Sequence, residues 1–163
     1  MKLESLEELY VEQLQDLYSA ENQIVEALPK MARKCSSSAL RQAFENHLQQ
    51  TRTQIERLED IFEEMGEAPK GPECKGMKGL IAEGEDLLKS KSDPEVLDAA
   101  LISAAQRVEH YEIAGYGTVR TYADLLGQDD HSVLLQKTLE EEKQTDQLLN
   151  SLASKINLGA KAA

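Results

Sequence analysis

Apolar residues recur at helical spacing along four long stretches of the chain, and the connections between those stretches leave few ways to pack them. The first helix, about residues 4–34, carries Leu6, Tyr10, Leu14, Leu17, Ile24, Leu28 and Met31 on one face, with the pattern itself beginning at Leu3. Ser5 followed by Glu8 has the form of a capping box, which moves the expected start towards residue 6. Pro29 is expected to kink the last turn. The second helix, about 37–65, follows the N-cap candidates Ser36, Ser37 and Ser38 and stops at Gly66. The third, about 94–126, opens on Ser92-Asp93-Pro94-Glu95, a cap followed by proline at the first helical position. The fourth spans about 130–156 and leaves a Gly-Ala-Lys-Ala-Ala tail that is expected to fray. The first and second helices are joined by a few residues, as are the third and fourth, so each pair forms an antiparallel hairpin. About 28 residues separate the hairpins, with a short helix expected at 80–89, and that length can cross a bundle. Two hairpins joined by one long crossover is the ferritin-like arrangement, so the expected fold is an all-α four-helix bundle forming a single domain over 1–163.

Composition narrows the function classes. A chain of 163 residues can bury a sizeable core, and the absence of Trp with only two Phe fits an interior of Leu, Ile and Ala. A net charge of −12 repels phosphates and argues against nucleic acid or an anionic membrane as a partner. Cys35 and Cys74 have no metal-type or redox-type spacing, which points to reduced thiols. No apolar run approaches a spanning helix, and Met-Lys-Leu-Glu-Ser does not read as a signal peptide, so the expected location is the cytoplasm.

The apolar stripes contain carboxylates. Each residue advances about 100° around a helix axis. Glu21 lies roughly 40° from Leu17, inside the first stripe, and Glu112 roughly 20° from Leu101 on the third helix, with Glu109 on the flank of that stripe. On the fourth helix Glu142 and Asp146 straddle the line of Leu135, whereas Glu140 and Glu141 read as ordinary surface charges. The second helix turns His47 and Gln54 to its buried side and Gln50 to the margin. His110 falls opposite the third stripe, which places it at the surface. Tyr18, Tyr111, Tyr116 and Tyr122 read as packing residues, with hydrogen bonding to a buried site or radical relay as the other roles open to them. All the inward polar positions lie near the middle of their helices, so antiparallel packing brings them to one height. Burying a lone ionised carboxylate costs several kcal/mol or forces it to keep its proton, and a bound cation relieves that cost. Oxygen donors with one imidazole suit iron or manganese better than zinc, and a bundle core is where di-metal carboxylate sites are built.

Tyr18-Ser-Ala-Glu21, His47-Leu-Gln-Gln-Thr51, Val108-Glu-His-Tyr-Glu-Ile-Ala114 and Glu140-Glu-Glu-Lys-Gln-Thr-Asp146 make the chain resemble the YciE/YciF stress-protein family, as do Ala27-Leu-Pro-Lys30 and Ala99-Ala-Leu-Ile102. The likeness covers nearly the whole chain. It implies a bacterial, cytoplasmic, dimeric stress-response protein similar in architecture to rubrerythrin. By position it implies a metal shell of Glu21, His47, residue 50, Glu109, Glu112, Glu142 and Asp146. Family members read His-Leu-Glu-Glu-Thr where this chain has His-Leu-Gln-Gln-Thr, so Gln50 is a neutral amide where an acid is expected. The second and fourth helices also lack the Glu-x-x-His spacing of rubrerythrins and ferritins.

The resulting expectation is a core that binds one or two iron ions, or manganese. If there is turnover, the chemistry is oxidation of Fe(II) by O₂ or peroxide, of the di-iron carboxylate oxidase or peroxidase type. The alternative is a structural or interaction protein whose polar cluster is a metal-free hydrogen-bonded network, which Gln50 and Gln54 favour. For the homodimer, the candidate surfaces are the short helix at 80–89 and the Ile113/Tyr116 side of the third helix.

Overall fold

Serine caps begin the first hairpin. In the computed structural model, which describes residues 4–163, α1 (Leu6–Lys34) starts where Ser5 Oγ accepts a hydrogen bond from the Glu8 N–H at 3.1 Å. Glu8 in turn accepts from the N–H of Glu4 at 2.6 Å, one residue before the cap, so the box closes in a shifted form. Leu3, where the apolar pattern begins, lies outside the described residues. Pro29 sits within α1 without ending it. The bond that an N–H there would have sent to Val25 is lost, and burial of Leu28 and Ala32 holds the last turn in register. Ser37 caps α2 (Ser38–Met65) by accepting from the Leu40 N–H at 3.3 Å. That helix stops at Gly66, whose φ of 68° is the left-handed value that glycine adopts freely.

Two boundaries differ from the sequence reading. α3 (Lys75–Lys89) begins before residue 80, because Cys74 Sγ accepts from the Met77 N–H at 3.4 Å and the Met77 side chain is fully buried. α4 (Pro94–Leu125) follows the Asp93 cap, and α5 (Asp129–Ala162) runs through the tail that was expected to fray. The end of α5 lies against the start of α4: a Cβ on Gly159 would come 2.7 Å from Glu95 Oε2. A larger residue there would displace the Glu95 carboxylate.

α1 packs on α2 and α4 on α5, as two hairpins, while α1 also faces α4 and α2 faces α5. The crossover helix α3 lies against α1 and α4. No helix among the described residues is long and apolar enough to cross a membrane. The Ile113/Tyr116 side of α4 is not a free surface, because Tyr116 is wholly buried and Ile113 packs against the core. Its hydroxyl draws it inward, as described below.

One polar anchor was not legible in the sequence. Asp98, buried near the start of α4, accepts from Ser36 N–H at 2.9 Å, Ser36 Oγ at 2.6 Å and Ser37 N–H at 2.7 Å. It pins the α1–α2 turn to the second hairpin. Asp98→Ala strands two backbone donors and is expected to cost about 2 kcal/mol, read as a lower urea midpoint with an unchanged slope.

The apolar interior is in two parts. One cluster, around Ile24, Leu28, Leu40, Phe44, Leu101 and Leu149, fills one end of the bundle. The other, around Leu14, Leu17, Leu58, Phe62, Val119 and Leu135, fills the opposite end. Apart from Ala20 on α1, the buried residues between them along each helix are polar.

Candidate metal centre

The gap between the two apolar clusters falls at Glu21 on α1, His47, Thr51 and Gln54 on α2, Glu109 and Glu112 on α4, and Glu142 on α5, all buried. A close approach of α1 and α4 brings their carboxylates together. Gly115 permits it, since a Cβ there would come 2.7 Å from Leu17 Cδ2. His47, Glu109, Glu112 and Glu142 each direct one ligand-type atom inward, and those atoms all lie within 4.8 Å of one another. His47 Nε2 is 3.3 Å from Glu109 Oε1, in contact but not aligned as a hydrogen bond.

Hydrogen bonding leaves much of this layer unanswered. Tyr116 OH donates to Glu21 Oε1 at 2.5 Å, and Gln54 Nε2 donates to Glu142 Oε1. Among the described residues, the remaining Oε2 atoms of Glu21, Glu109 and Glu142, both oxygens of Glu112, both ring nitrogens of His47 and Gln54 Oε1 are buried without a hydrogen-bond partner. Buried polar atoms are nearly always paired, so several orphans pointing into one space call for a ligand. Burial, then the charge of Glu142, raises the pKa of Glu21 and of Glu109 well above the ordinary carboxylate range. Glu112 is raised likewise, by burial and then by Glu21. Burial lowers His47 and keeps it neutral, a form with a free lone pair. Burial and the adjacent Glu21 raise the Tyr116 phenol, so it stays a donor.

The remaining site candidates sit further out. Glu109, read as a flanking residue, is fully part of the cluster. Asp146 is half-buried and accepts from Gln106 Nε2 at 3.0 Å, with exposed His110 at 3.4 Å on its outer side. Gln50 is half-buried at the margin, beside His47. The structure thus brings together Glu21, His47, Glu109, Glu112 and Glu142, with Gln50 and Asp146 at the rim.

Sequence reasoning missed the support on the α2–α5 side. Arg57 is buried and holds Glu141 in a two-pronged pair at 2.7 and 2.8 Å, while also donating to Thr138 Oγ1 at 3.0 Å. Glu141 is therefore not an ordinary surface charge. It also accepts from Gln54 Nε2 at 3.2 Å, so Arg57 orients Glu141, Glu141 orients Gln54, and Gln54 orients Glu142. Burial would raise the Glu141 pKa, but the Arg57 hydrogen bonds and charge outweigh it and the net shift is downward. An Arg on the inner side of α2, one turn from Gln54, was the only sequence signal of this chain. His131, at the start of α5, is buried between Tyr10 OH at 3.3 Å and Glu64 Oε2 at 3.1 Å, away from the cluster.

Comparison with known proteins agrees with this architecture. Residues 5–161 match the family described as "Domain of unknown function (DUF892)". The chain is 47% identical over 154 residues to Protein YciF of Escherichia coli (strain K12), covering 94% of this chain and 93% of that protein. It superimposes on the crystal structure of the E. coli stress protein YciF with a TM-score of 0.92 at 46% identity, covering 94% of this chain and 98% of the other. YcfI of Rhodopseudomonas palustris, described as a candidate structural protein, gives a TM-score of 0.88 at 42% identity over 91% of this chain and 95% of its own. A Xanthomonas campestris pv. campestris protein shares the fold at 20% identity, with a TM-score of 0.76 and 94% of each chain covered. A whole-length family match and close sequence identity coincide with the same helical bundle, and the chain belongs to the YciE/YciF stress-protein family.

Proposed function

We propose that this stress-family protein binds iron, or manganese, in the polar layer of its bundle. One ion is held by His47, Glu109, Glu112 and Glu142, and Glu21 stands beside it as a donor towards a second. The observation that carries this reading is the convergence of orphaned buried oxygens and the His47 imidazole on one space. Three carboxylates and one imidazole are a donor set for iron or manganese, and their summed negative charge is what a divalent cation would cancel. When bound, such an ion supplies one-electron redox chemistry towards O₂ or peroxide.

The protein's own part is to keep the donors dry and correctly aimed, and loading releases the protons that burial favours on Glu21, Glu109 and Glu112. Tyr116 fixes one Glu21 oxygen and leaves the other free, and the Arg57–Glu141–Gln54 chain does the same for Glu142. Gln50 at the rim withholds a charge from the α2 side, which favours unequal occupancy of two ions. Protein reconstituted with Fe(II) in air is expected to retain about one to two metals per chain, lost together in the Glu21→Ala/Glu142→Ala double variant. A folded protein that retains none would overturn the reading. Tyr116→Phe removes the hydroxyl that orients Glu21 and is expected to weaken metal binding by about 10–100-fold with the fold intact, as read by metal titration.

A structural role without metal is the second reading. The amide of Gln54 bonded to Glu142 favours it, as does the description given to the R. palustris relative. Under that reading, a chelator leaves the melting temperature of the purified protein unchanged, whereas loss of a bound ion lowers it.

A further inference from the structure

A cavity of about 40 Å³ lies between α1, α3 and α4, beside the polar layer. Its wall is almost wholly apolar, with Ile24, Met31, Ile81 and Val108 among the residues that form it. Two buried members of the polar layer, His47 and Glu109, also line it. On the solvent side it is bordered by Lys30 and Glu85, half-exposed partners in an ion pair at 2.7 Å.

Gly84, in the middle of α3, keeps this space open. Glycine is the poorest helix former after proline, so a buried helical glycine calls for a reason. Backbone conformation does not supply one, since only Gly66 and Gly127 among the described residues have positive φ. Steric crowding does not either: a Cβ at Gly84 would lie 4.0 Å from the Cβ of Ala104, an ordinary contact. A larger side chain at this position would occupy the cavity.

Size and polarity select the occupant. One water needs about 10–15 Å³, so the space, which opens to solvent past Lys30 and Glu85, has room for roughly three water-sized molecules, and its almost wholly apolar wall suits an apolar guest such as xenon better than it suits water. Water admitted here would donate to the orphaned carboxylate oxygens and compete with an ion for them, whereas an apolar diatomic would not. We propose that the Gly84 cavity is a binding site for dioxygen at the His47–Glu109 edge of the centre. Its role in supplying oxidant to that edge rests on the metal reading given above.

Xenon-pressurised crystals test the site without metal. One xenon is expected in the cavity of the native protein and none in Gly84→Leu; an empty native cavity overturns the proposal. Fe(II)-loaded protein tests the supply role. Gly84→Leu is expected to slow oxidation by O₂ by roughly three- to tenfold, within the span over which access changes an association rate, while iron content stays unchanged. Oxidation by hydrogen peroxide, which is polar and does not partition into an apolar cavity, is expected to keep its rate. Equal slowing with both oxidants, or with neither, overturns the supply role. If Gly84→Leu fails to fold, Gly84→Ala fits the backbone and should show reduced xenon occupancy; full occupancy there counts against the site. Xenon bound in a protein that retains no iron sinks the metal reading and the supply role together, and leaves the apolar-gas site standing.

Discussion

Glu112→Met is expected to stabilise the metal-free protein by about 1–4 kcal/mol while abolishing metal retention. Glu112 is wholly buried, and neither of its carboxylate oxygens has a hydrogen-bond partner. Its pKa is raised by burial and by Glu21, so the folded protein either keeps the carboxyl protonated or carries a charge that nothing answers. Methionine is similar in length and adapts to irregular space, and replacing buried charged groups with apolar ones of like volume is neutral to favourable. The same change removes an oxygen donor from the centre of the cluster. Urea unfolding of chelator-treated native and variant protein, together with metal content after reconstitution, reads both effects. If the variant is less stable than the native protein, Glu112 is holding the fold together, which is what the metal-free network reading requires.

Chelation is expected to reverse the pH dependence of stability. In the metal-free protein the folded-state pKa values of Glu21, Glu109 and Glu112 are raised. The stability these groups contribute is fully present below the unfolded glutamate pKa of about 4.3 and is lost as pH rises through the folded values. His47 acts in the opposite sense. Its folded pKa is lowered, so its contribution is present above the unfolded histidine value of about 6.5 and is lost as pH falls. The fall is therefore clearest above about pH 6.5, where His47 no longer opposes it, with a slope of about 1.4 kcal/mol per pH unit for each proton the folded state retains. Glu141, lowered overall by Arg57, governs the acid side, where stability is lost as its carboxylate protonates. Metal requires deprotonated ligands, so in the loaded protein stability rises with pH over the window where the stripped protein weakens. Melting temperatures across pH, with and without chelator, check this. Superimposable curves would count against a resident ion.

Topology was readable because it depends on quantities a sequence displays: stripe period and connection length. The layer at mid-height was readable for the same reason, since Glu21, Glu112 and Glu142 interrupt stripes that are otherwise apolar. Angular phasing was less able to rank residues at the edge of a stripe. Glu109 and Asp146 lie on either side of that edge, and the structure buries Glu109 beside His47 while Gln106 draws Asp146 outward. A neighbouring amide decides such a case, and it is contributed by another helix. The same limit hid Arg57–Glu141 and Asp98 with Ser36 and Ser37, polar contacts between residues far apart in the chain. The extension of α5 was hidden because a tail rich in small residues carries no apolar stripe, although Gly159 comes to lie beside Glu95 at the start of α4.

The two apolar clusters separated by a charged layer divide the molecule by height rather than along the chain. Each of α1, α2, α4 and α5 supplies residues to both ends. A conventional domain boundary can be cut between consecutive stretches, but separating these two compartments means severing all four long helices. Neither compartment can therefore be excised, duplicated or exchanged as a contiguous segment, even though each has its own packed core. Substitutions at opposite ends are far enough apart to act independently, and only those in the charged layer touch both. Variation can repack either end without disturbing the other, whereas the middle must change as a set.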